Sequence, residues 1–361
     1  MDSTTFRILD ALSRHPGSKP SINGLVKEIR ELGYIAHYKN IYDKTQKLKK
    51  QEMLTIKKTG NISLISLNTS NPQLIDQLTI MELEKKNNLL QKHPHEKEPI
   101  QELETTCDNK PTSIALINPE KNIKLNITEI LYLTTNRNTK PPLTRLREIA
   151  RKHNTTIHSL TLTSQELQKM LEAEEQNQAK KILENKIILA NPAMFWKTIT
   201  KIKPREAGEN KPDPGKISPE ALEYNLRRFG YASLTTKQQE KTDNINIETI
   251  IIACLLQGDA RLKEAVPVLL AKNKINHRLL HYLALKHHKH NLTGYFIETT
   301  SELVVDQEKK KELRNMLKLF ETYSDKKPKT SSEETTPKRW SVETKTSKRD
   351  LKEKMRLYNA I

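Results

Sequence analysis

Apolar and polar positions in residues 1–67 follow the order helix, helix, helix, hairpin. Phe6, Leu9 and Leu12 recur at helical spacing, and Ser21 is a suitable N-cap for a second helix that ends before Gly33. A third helix is predicted to begin near Ala36. Two alternating stretches, 53–58 and 62–67, flank a Thr-Gly-Asn turn, which predicts a β-hairpin.

The third helix is predicted to be amphipathic. Its apolar stripe is expected to face the core and consists of Tyr38, Ile41, Tyr42, Thr45 and Leu48. The opposite face carries cationic and amide side chains, which reach phosphates and base edges when a helix enters the major groove. Together with the hairpin, this face predicts the following DNA-binding residues: His37, Lys39, Asn40, Lys44, Lys47, Lys57, Lys58 and Asn61.

The stretch 21–67 resembles the winged-helix domains of archaeal and bacterial transcription regulators. The resemblance is clearest in Tyr38-Lys39-Asn40-Ile41-Tyr42 and in Leu48-Lys49-Lys50. It implies an N-terminal winged helix-turn-helix over 1–90 that binds double-stranded DNA, and a module that binds only proteins is the alternative. A further helix, 73–90, is expected to pack its apolar stripe on this domain or on a second copy, and helices appended in this way favour a homodimer.

Residues 112–202 mix strand-like and helical segments and predict a small α/β domain. Strands are expected at 113–117, 130–133 and 157–162, and helices at 143–153, 164–171 and 179–189. The segments Leu160-Thr161-Leu162-Thr163-Ser164 and Ile187-Ile188-Leu189-Ala190-Asn191 resemble the minimal nucleotidyltransferase fold of the polymerase-β superfamily, which archaea often join to a winged helix.

That resemblance implies chemistry for which the side chains are missing. The family holds phosphate on a Gly-Ser turn and two metal ions on an Asp-x-Asp pair and a third carboxylate. Here the turn reads Asn118-Pro119, Glu129 is the one acid of the second strand, and His158 stands near the place of the third carboxylate. We therefore expect a degenerate domain with no catalytic residue, no metal and no cofactor, so that the protein is not an enzyme.

The remaining chain is divided by composition. Polar stretches at 91–111 and 203–218 are predicted linkers, residues 219–323 a helical domain, and 324–361 a disordered basic tail in which 348–358 can form a helix on a partner. The expected class is α+β, mainly helical. The helical domain is the predicted contact surface for a protein partner.

The net charge of the chain indicates the class of its binding partner. The chain has 62 Lys and Arg against 44 Asp and Glu, a net charge of +18, which favours nucleic acid over an anionic membrane as partner. Cys107 and Cys254 are too far apart for a disulfide framework, and the longest apolar run, 250–256, falls short of the ~20 residues that cross a bilayer.

The sequence thus predicts a cytoplasmic DNA-binding protein that regulates transcription. Two alternatives stay open: a nucleotidyltransferase-family enzyme targeted by a winged helix, and an antitoxin-like module for protein interactions.

Overall fold

The computed structural model describes residues 1–106, 112–135, 142–202, 213–231, 242–257, 259–322, 340–342 and 347–361. The fold is α+β and mainly helical with two small sheets, as the sequence predicts. By their contacts the residues form two compact units, Met1–Glu174 with Gln178–Ala207 and Glu175–Asn177 with Gly208–Ile361. Each unit is described by itself below.

The first unit begins with three helices, a hairpin and a long helix. Ser21 caps the second helix by accepting a hydrogen bond from the Gly24 N–H at 3.1 Å, and Gly33 behind it has a φ of +81°. The hairpin closes on two residues because Thr59 pairs with Ile62. These elements are α1 (Ser3–Arg14), α2 (Ile22–Glu31), α3 (Tyr38–Lys50), β1 (Leu54–Thr59), β2 (Ile62–Leu67) and α4 (Pro72–Lys92).

The rest of the first unit is a four-stranded sheet with helices around it. The strand order is β5-β4-β3-β6, with β4 and β5 parallel and β3 antiparallel to both β4 and β6. The elements are α5 (Lys97–Thr105), β3 (Thr112–Ile117), α6 (Pro119–Lys124), β4 (Ile127–Thr134), α7 (Leu143–Lys152), β5 (Thr156–Thr163), α8 (Ser164–Glu172), α9 (Gln178–Glu184), β6 (Lys186–Ala190) and α10 (Pro192–Ile199).

The predicted linker 91–111 is wrong where the structure describes it. A short 3-10 turn, Pro94–Glu96, leads into α5, whose Ile100 and Leu103 are buried against the sheet. The polar composition of this segment predicted a linker and not a helix, because only two side chains of α5 face the core. The chain on either side of it belongs to one unit, so the predicted division between 1–90 and 112–202 is not a boundary between units.

Helix α4 buries its apolar stripe inside its own chain. Leu74, Leu78, Met81 and Leu89 are buried, and α4 packs against β6 and α10. Two large apolar side chains of this helix, Ile80 and Leu83, are exposed. The feature on which the homodimer was predicted therefore has an intramolecular role, and the homodimer stays a prediction.

The predicted helix 179–189 divides into two elements. Residues 178–184 are helical, but Lys186–Ala190 forms β6, which pairs with β3 at the edge of the sheet. A short apolar run is ambiguous between helix and strand, and here pairing with the distant β3 decides it. Helix α4 supplies a hydrogen-bond partner to the unpaired edge of β6, since the buried Glu82 carboxylate accepts a hydrogen bond from the Ile188 N–H at 3.1 Å.

The second unit is helical. Its described helices are α11 (Pro219–Arg228), α12 (Ile247–Gln257), α13 (Ala260–Lys272), α14 (His277–Lys286), α15 (His290–Leu303), α16 (Gln307–Thr322) and α17 (Lys348–Leu357). Cys254 is fully buried on α12 as a small apolar side chain, whereas Cys107 lies outside the described residues. Of the predicted linker 203–218, residues 203–212 also lie outside them, and 214–216 form a 3-10 turn.

The prediction of a disordered tail over 324–361 is wrong for its described residues. Helix α17 packs on α13 and buries Leu351 and Met355. The Tyr358 ring stacks on Tyr231 at 4.5 Å between centroids, and Lys354 pairs with Glu264 at 3.3 Å. The helix foreseen at 348–358 thus forms, but on its own chain. The remaining tail residues lie outside the described ranges.

The Trp340 ring packs against Gly294 of α15 and occupies the space that a side chain at this position would take. A Cβ at this position would lie 2.4 Å from the Trp340 ring. We expect Gly294→Ala to lower the free energy of unfolding by about 1–3 kcal/mol, because overpacking forces a buried ring to shift. Red-shifted tryptophan emission and denaturant unfolding would detect it. Gly24→Ala, whose Cβ has ordinary contacts, is the control; equal behaviour of both variants would contradict this packing.

No helix among the described residues is both long enough and apolar enough to cross a lipid bilayer.

Candidate functional site

Helix α3 attaches to the first unit through a narrow apolar stripe. Ile41, Thr45 and Leu48 are buried, and the Thr45 hydroxyl donates to the Ile41 carbonyl at 2.6 Å. Tyr38 and Tyr42, predicted to face the core, are instead 51% and 42% exposed, and their rings stack on each other at 6.2 Å. Tyrosine is apolar over most of its surface, so periodicity alone placed both residues on the wrong side.

The exposed face of α3 is consequently rotated from the predicted one. Successive side chains turn by about 100° around a helix, so the direction opposite Ile41, Thr45 and Leu48 is occupied by Lys39, Asp43, Gln46 and Lys50, with Lys47 beside them. Asn40 is exposed at the side of this face. His37 is exposed at the N-cap position and makes no side-chain capping bond.

Lys44 is placed differently from the other predicted DNA-binding residues. Its ammonium pairs with the Asp2 carboxylate at 2.7 Å, on the side of α3 that faces the start of α1. Partial burial alone would raise the pKa of Asp2. Hydrogen bonds from Lys44 and Thr5 outweigh this effect and hold the pKa well below its ordinary value. Lys44 therefore joins two helices and contributes less free cationic charge than its neighbours.

The hairpin extends beside α3. Lys57, Lys58 and Asn61 are exposed, as predicted for a surface that contacts DNA backbone. The hairpin is also anchored to the segment before α2, because the Ile65 N–H donates to the Pro20 carbonyl at 2.9 Å. This hydrogen bond joins the second strand of the hairpin to the segment that leads into α2.

A groove of about 290 Å³ separates α3 from the hairpin. The two stacked tyrosines form one wall, and Ile62, which is 54% exposed, forms part of the other. Asn61 and Gln46 supply amide groups at the same groove. The helical pattern did not predict this groove, because it assigned Tyr38 and Tyr42 to the core. The polar residues around these two tyrosines were the feature of the sequence that indicated their exposure.

The cationic side chains of this surface are not neutralised. Lys39, Lys47, Lys50, Lys57 and Lys58 form no ion pair with any residue in the described ranges. Asp43 is the only acid within α3 and the hairpin strands. We name these five lysines the cationic face.

The sheet brings Glu129 and His158 together. They are register partners on the parallel strands β4 and β5, and both are buried. The turn expected to hold phosphate begins with Asn118 in a left-handed conformation, with a φ of +47°, and α6 starts directly after it. One buried carboxylate next to an imidazole does not provide the paired carboxylates that hold two metal ions.

A cluster of metal-ligating types lies elsewhere in the first unit. Glu98, Glu102 and His153 have ligand atoms within 4.8 Å of one another. The Lys152 ammonium pairs with both carboxylates of this cluster, at 2.6 Å from Glu98 and 2.5 Å from Glu102. The hydrogen bond from Lys152 lowers the pKa of Glu102. Both carboxylates of the cluster are therefore already paired with a cation of the protein.

The histidines of the segment 287–290 lie in different environments in the second unit. His288 is exposed, but His290 is buried, stacks on Phe320 at 5.0 Å and contacts His281. Burial lowers the pKa of His281 to about 3, so this imidazole is a neutral part of the core.

Comparison with protein-family models, with curated proteins and with solved structures finds no match to this chain.

Proposed function

We propose that the protein binds double-stranded DNA through α3 and the hairpin, as a winged helix, and that it regulates transcription. The observation that carries the proposal is the cationic face: five exposed lysines on α3 and the neighbouring hairpin that form no ion pair with any described residue. Lysines held apart from carboxylates can neutralise phosphates and release their counterions. The pairing of the hairpin with the segment before α2 supports the same assignment, since it sets the hairpin beside α3.

The experiment is a salt titration of binding by the full chain to duplex DNA. The logarithm of the binding constant should fall linearly with the logarithm of salt concentration, with a slope of about −0.9 for each neutralised phosphate. If the five lysines each meet a phosphate, the slope approaches about −4.5. Binding that is undetectable even at low salt would refute the proposal. The full chain is required because α4 is buried against the sheet and residues 1–90 are not a separate unit.

Sequence preference is assigned to the amides of α3. Asn40 and Gln46 are on either side of the exposed face, and an amide can bond bidentately to adenine. Once selection from random duplexes has given a preferred site, Asn40→Ala and Gln46→Ala should each weaken binding to it by about 1–3 kcal/mol and leave binding to random DNA unchanged.

The matched control for the amides is Gln101→Ala, an exposed amide on α5. It should change neither affinity. Equal losses on preferred and random DNA would make Asn40 or Gln46 a backbone contact.

The groove beside α3 favours a second candidate, a protein-interaction module. Stacked Tyr38 and Tyr42 with exposed Ile62 offer an apolar surface that a protein segment can cover. The two functions differ in their dependence on salt: contacts with phosphates weaken steeply as salt rises, whereas an apolar contact does not.

The sheet of the first unit is proposed to support this surface and not to transfer nucleotides. The single carboxylate on β4, buried beside His158, supports this reading over the nucleotidyltransferase alternative.

A further inference from the structure

The first unit contains a cavity of about 750 Å³ between the end of α2, the C-terminal half of α4 and the start of β6. Its volume falls within the range of about 300–1,000 Å³ that is usual for small-molecule sites. Four of the five charged residues in its lining are basic: Arg14, Lys85, Lys92 and Lys186, against Glu120. We call it the Lys186 cavity.

Three of these cations already have carboxylate partners. Asp10, buried behind the lining, pairs with Arg14 at 3.0 Å and with Lys85 at 3.0 Å. At the rim, Lys92 pairs with Glu120 at 3.0 Å in an exposed ion pair. The buried Glu82 carboxylate also pairs with Lys85, at 3.6 Å. Asp10 and Glu82 thus balance Arg14 and Lys85, and the inner lining has a surplus of one positive charge when Lys186 is protonated.

Lys186 differs from the other cations of the lining, because no carboxylate of the described residues lies within hydrogen-bond distance of its ammonium. It is fully buried, and its ammonium has one long hydrogen bond, 3.4 Å to the Leu183 carbonyl. The rings of Trp196 and Phe195 face it at 4.6 and 5.6 Å. Because burial disfavours the charged form, the pKa of Lys186 falls to about 7, despite the attraction of Glu82.

We propose that the Lys186 cavity binds a small organic phosphate. Arg14, Lys85 and Lys186 supply charged donors, and a charge-assisted bond to a phosphate oxygen is stronger than one between neutral groups. Asn88, Gln91 and Asn185 add amide groups to the same lining. Phosphate alone would fill a small part of 750 Å³, and the perpendicular rings of Phe6 and Tyr34 offer a wall for an organic body.

The test measures binding of four compounds to the full chain by calorimetry at about pH 8: inorganic phosphate, AMP, ribose 5-phosphate and adenosine, all at equal ionic strength. At this pH Lys186 is mostly neutral, so an anion that makes it charged must take up a proton. We expect at least one phosphate compound to bind, adenosine to bind at least 10-fold more weakly than AMP, and binding to consume up to one proton, seen as a dependence on buffer ionisation enthalpy.

Lys186→Met is the decisive variant, because an apolar side chain of similar length should keep the buried site folded. It should weaken phosphate binding at least 10-fold and abolish the proton uptake. Lys169→Met, which removes an exposed lysine on α8 away from the cavity, should change neither. No binding of any phosphate compound at about 10 mM, or equal losses in both variants, would overturn the proposal. Because no DNA enters the assay, its outcome is independent of the proposed function.

Discussion

Asp10→Ala is expected to lower the free energy of unfolding of the first unit by about 3–5 kcal/mol. Asp10 is fully buried on α1 and accepts hydrogen bonds from Arg14, Lys85 and the Tyr34 hydroxyl, at 3.0, 3.0 and 3.2 Å. Removing one member of a buried ion pair leaves the other charges in a poorly solvating interior, which costs about this much. Denaturant unfolding followed by circular dichroism measures the effect.

Two comparisons make this expectation specific. Asp43→Ala removes an exposed acid from α3 and should stay within about 0.5 kcal/mol of the unaltered protein. Asp10→Ala combined with Lys85→Met removes both charges and should recover part of the loss. A loss below about 1 kcal/mol for Asp10→Ala alone would show that the cluster is solvated and does not hold α1 to α4.

The same carboxylate predicts how stability depends on pH. Burial alone would raise its pKa, but the charges of Lys85 and Arg14 outweigh burial and hold the pKa of Asp10 at about 2, below its ordinary 3.8. The unfolded chain therefore binds this proton more tightly than the folded chain. Its contribution is complete above about pH 4 and is lost as the pH falls towards 2. In Asp10→Ala this part of the acid destabilisation should disappear.

Local signals were sufficient for the N-terminal elements. The Ser21 cap, the Gly33 terminator and the two-residue hairpin turn each act within a few residues, and α1, α2, α3, β1 and β2 form where the pattern predicts them. What the pattern could not determine was the rotation of α3. Tyr38 and Tyr42 extend the apolar stripe in sequence, but only Ile41, Thr45 and Leu48 of this helix are buried.

Elements that depend on distant partners were missed or misplaced. β6 is a strand because β3 pairs with it, and α5 is ordered because Ile100 and Leu103 find the core formed by β3 and β4. The helix α17 was predicted, but as a helix on a partner, whereas Leu351 and Met355 pack it on α13 of its own chain. In each case the local composition is compatible with two states, and long-range burial decides between them.

The residues of the candidate DNA-binding surface differ in the same way: some could be predicted from local sequence, and others depend on distant contacts. Exposure of Lys39, Lys47, Lys57 and Lys58 could be predicted, because lysines on a polar face have no reason to be buried. The ion pair between Lys44 and Asp2 could not, since it depends on how the start of α1 meets α3. The Lys186 cavity could not be predicted either, because the elements around it, α1, α4 and β6, are far apart in the sequence.

Loss of the charges on α3 is expected to have the largest effect on DNA binding. The triple variant Lys39→Ala, Lys47→Ala, Lys50→Ala removes three exposed ammonium groups that pair with no carboxylate of the described residues, so the fold should be unaffected. Each lost phosphate contact reduces the salt slope by about 0.9, about 2.7 in all. At moderate salt this corresponds to a loss of affinity on the order of 100-fold.

The matched control removes the same charge from the same unit. Lys121→Ala, Lys124→Ala and Lys169→Ala take exposed lysines from α6 and α8, so both triple variants lower the net charge from +18 to +15. Any effect of overall charge alone must be equal in the two proteins.

The most direct test of the account is the salt dependence of duplex DNA binding by the full chain, measured side by side for the unaltered protein and these two triple variants. The account predicts that the slope and affinity of the α6–α8 variant stay close to those of the unaltered protein, while the α3 variant loses about 2.7 in slope and on the order of 100-fold in affinity. Equal losses in both variants, or none in either, would contradict binding through α3.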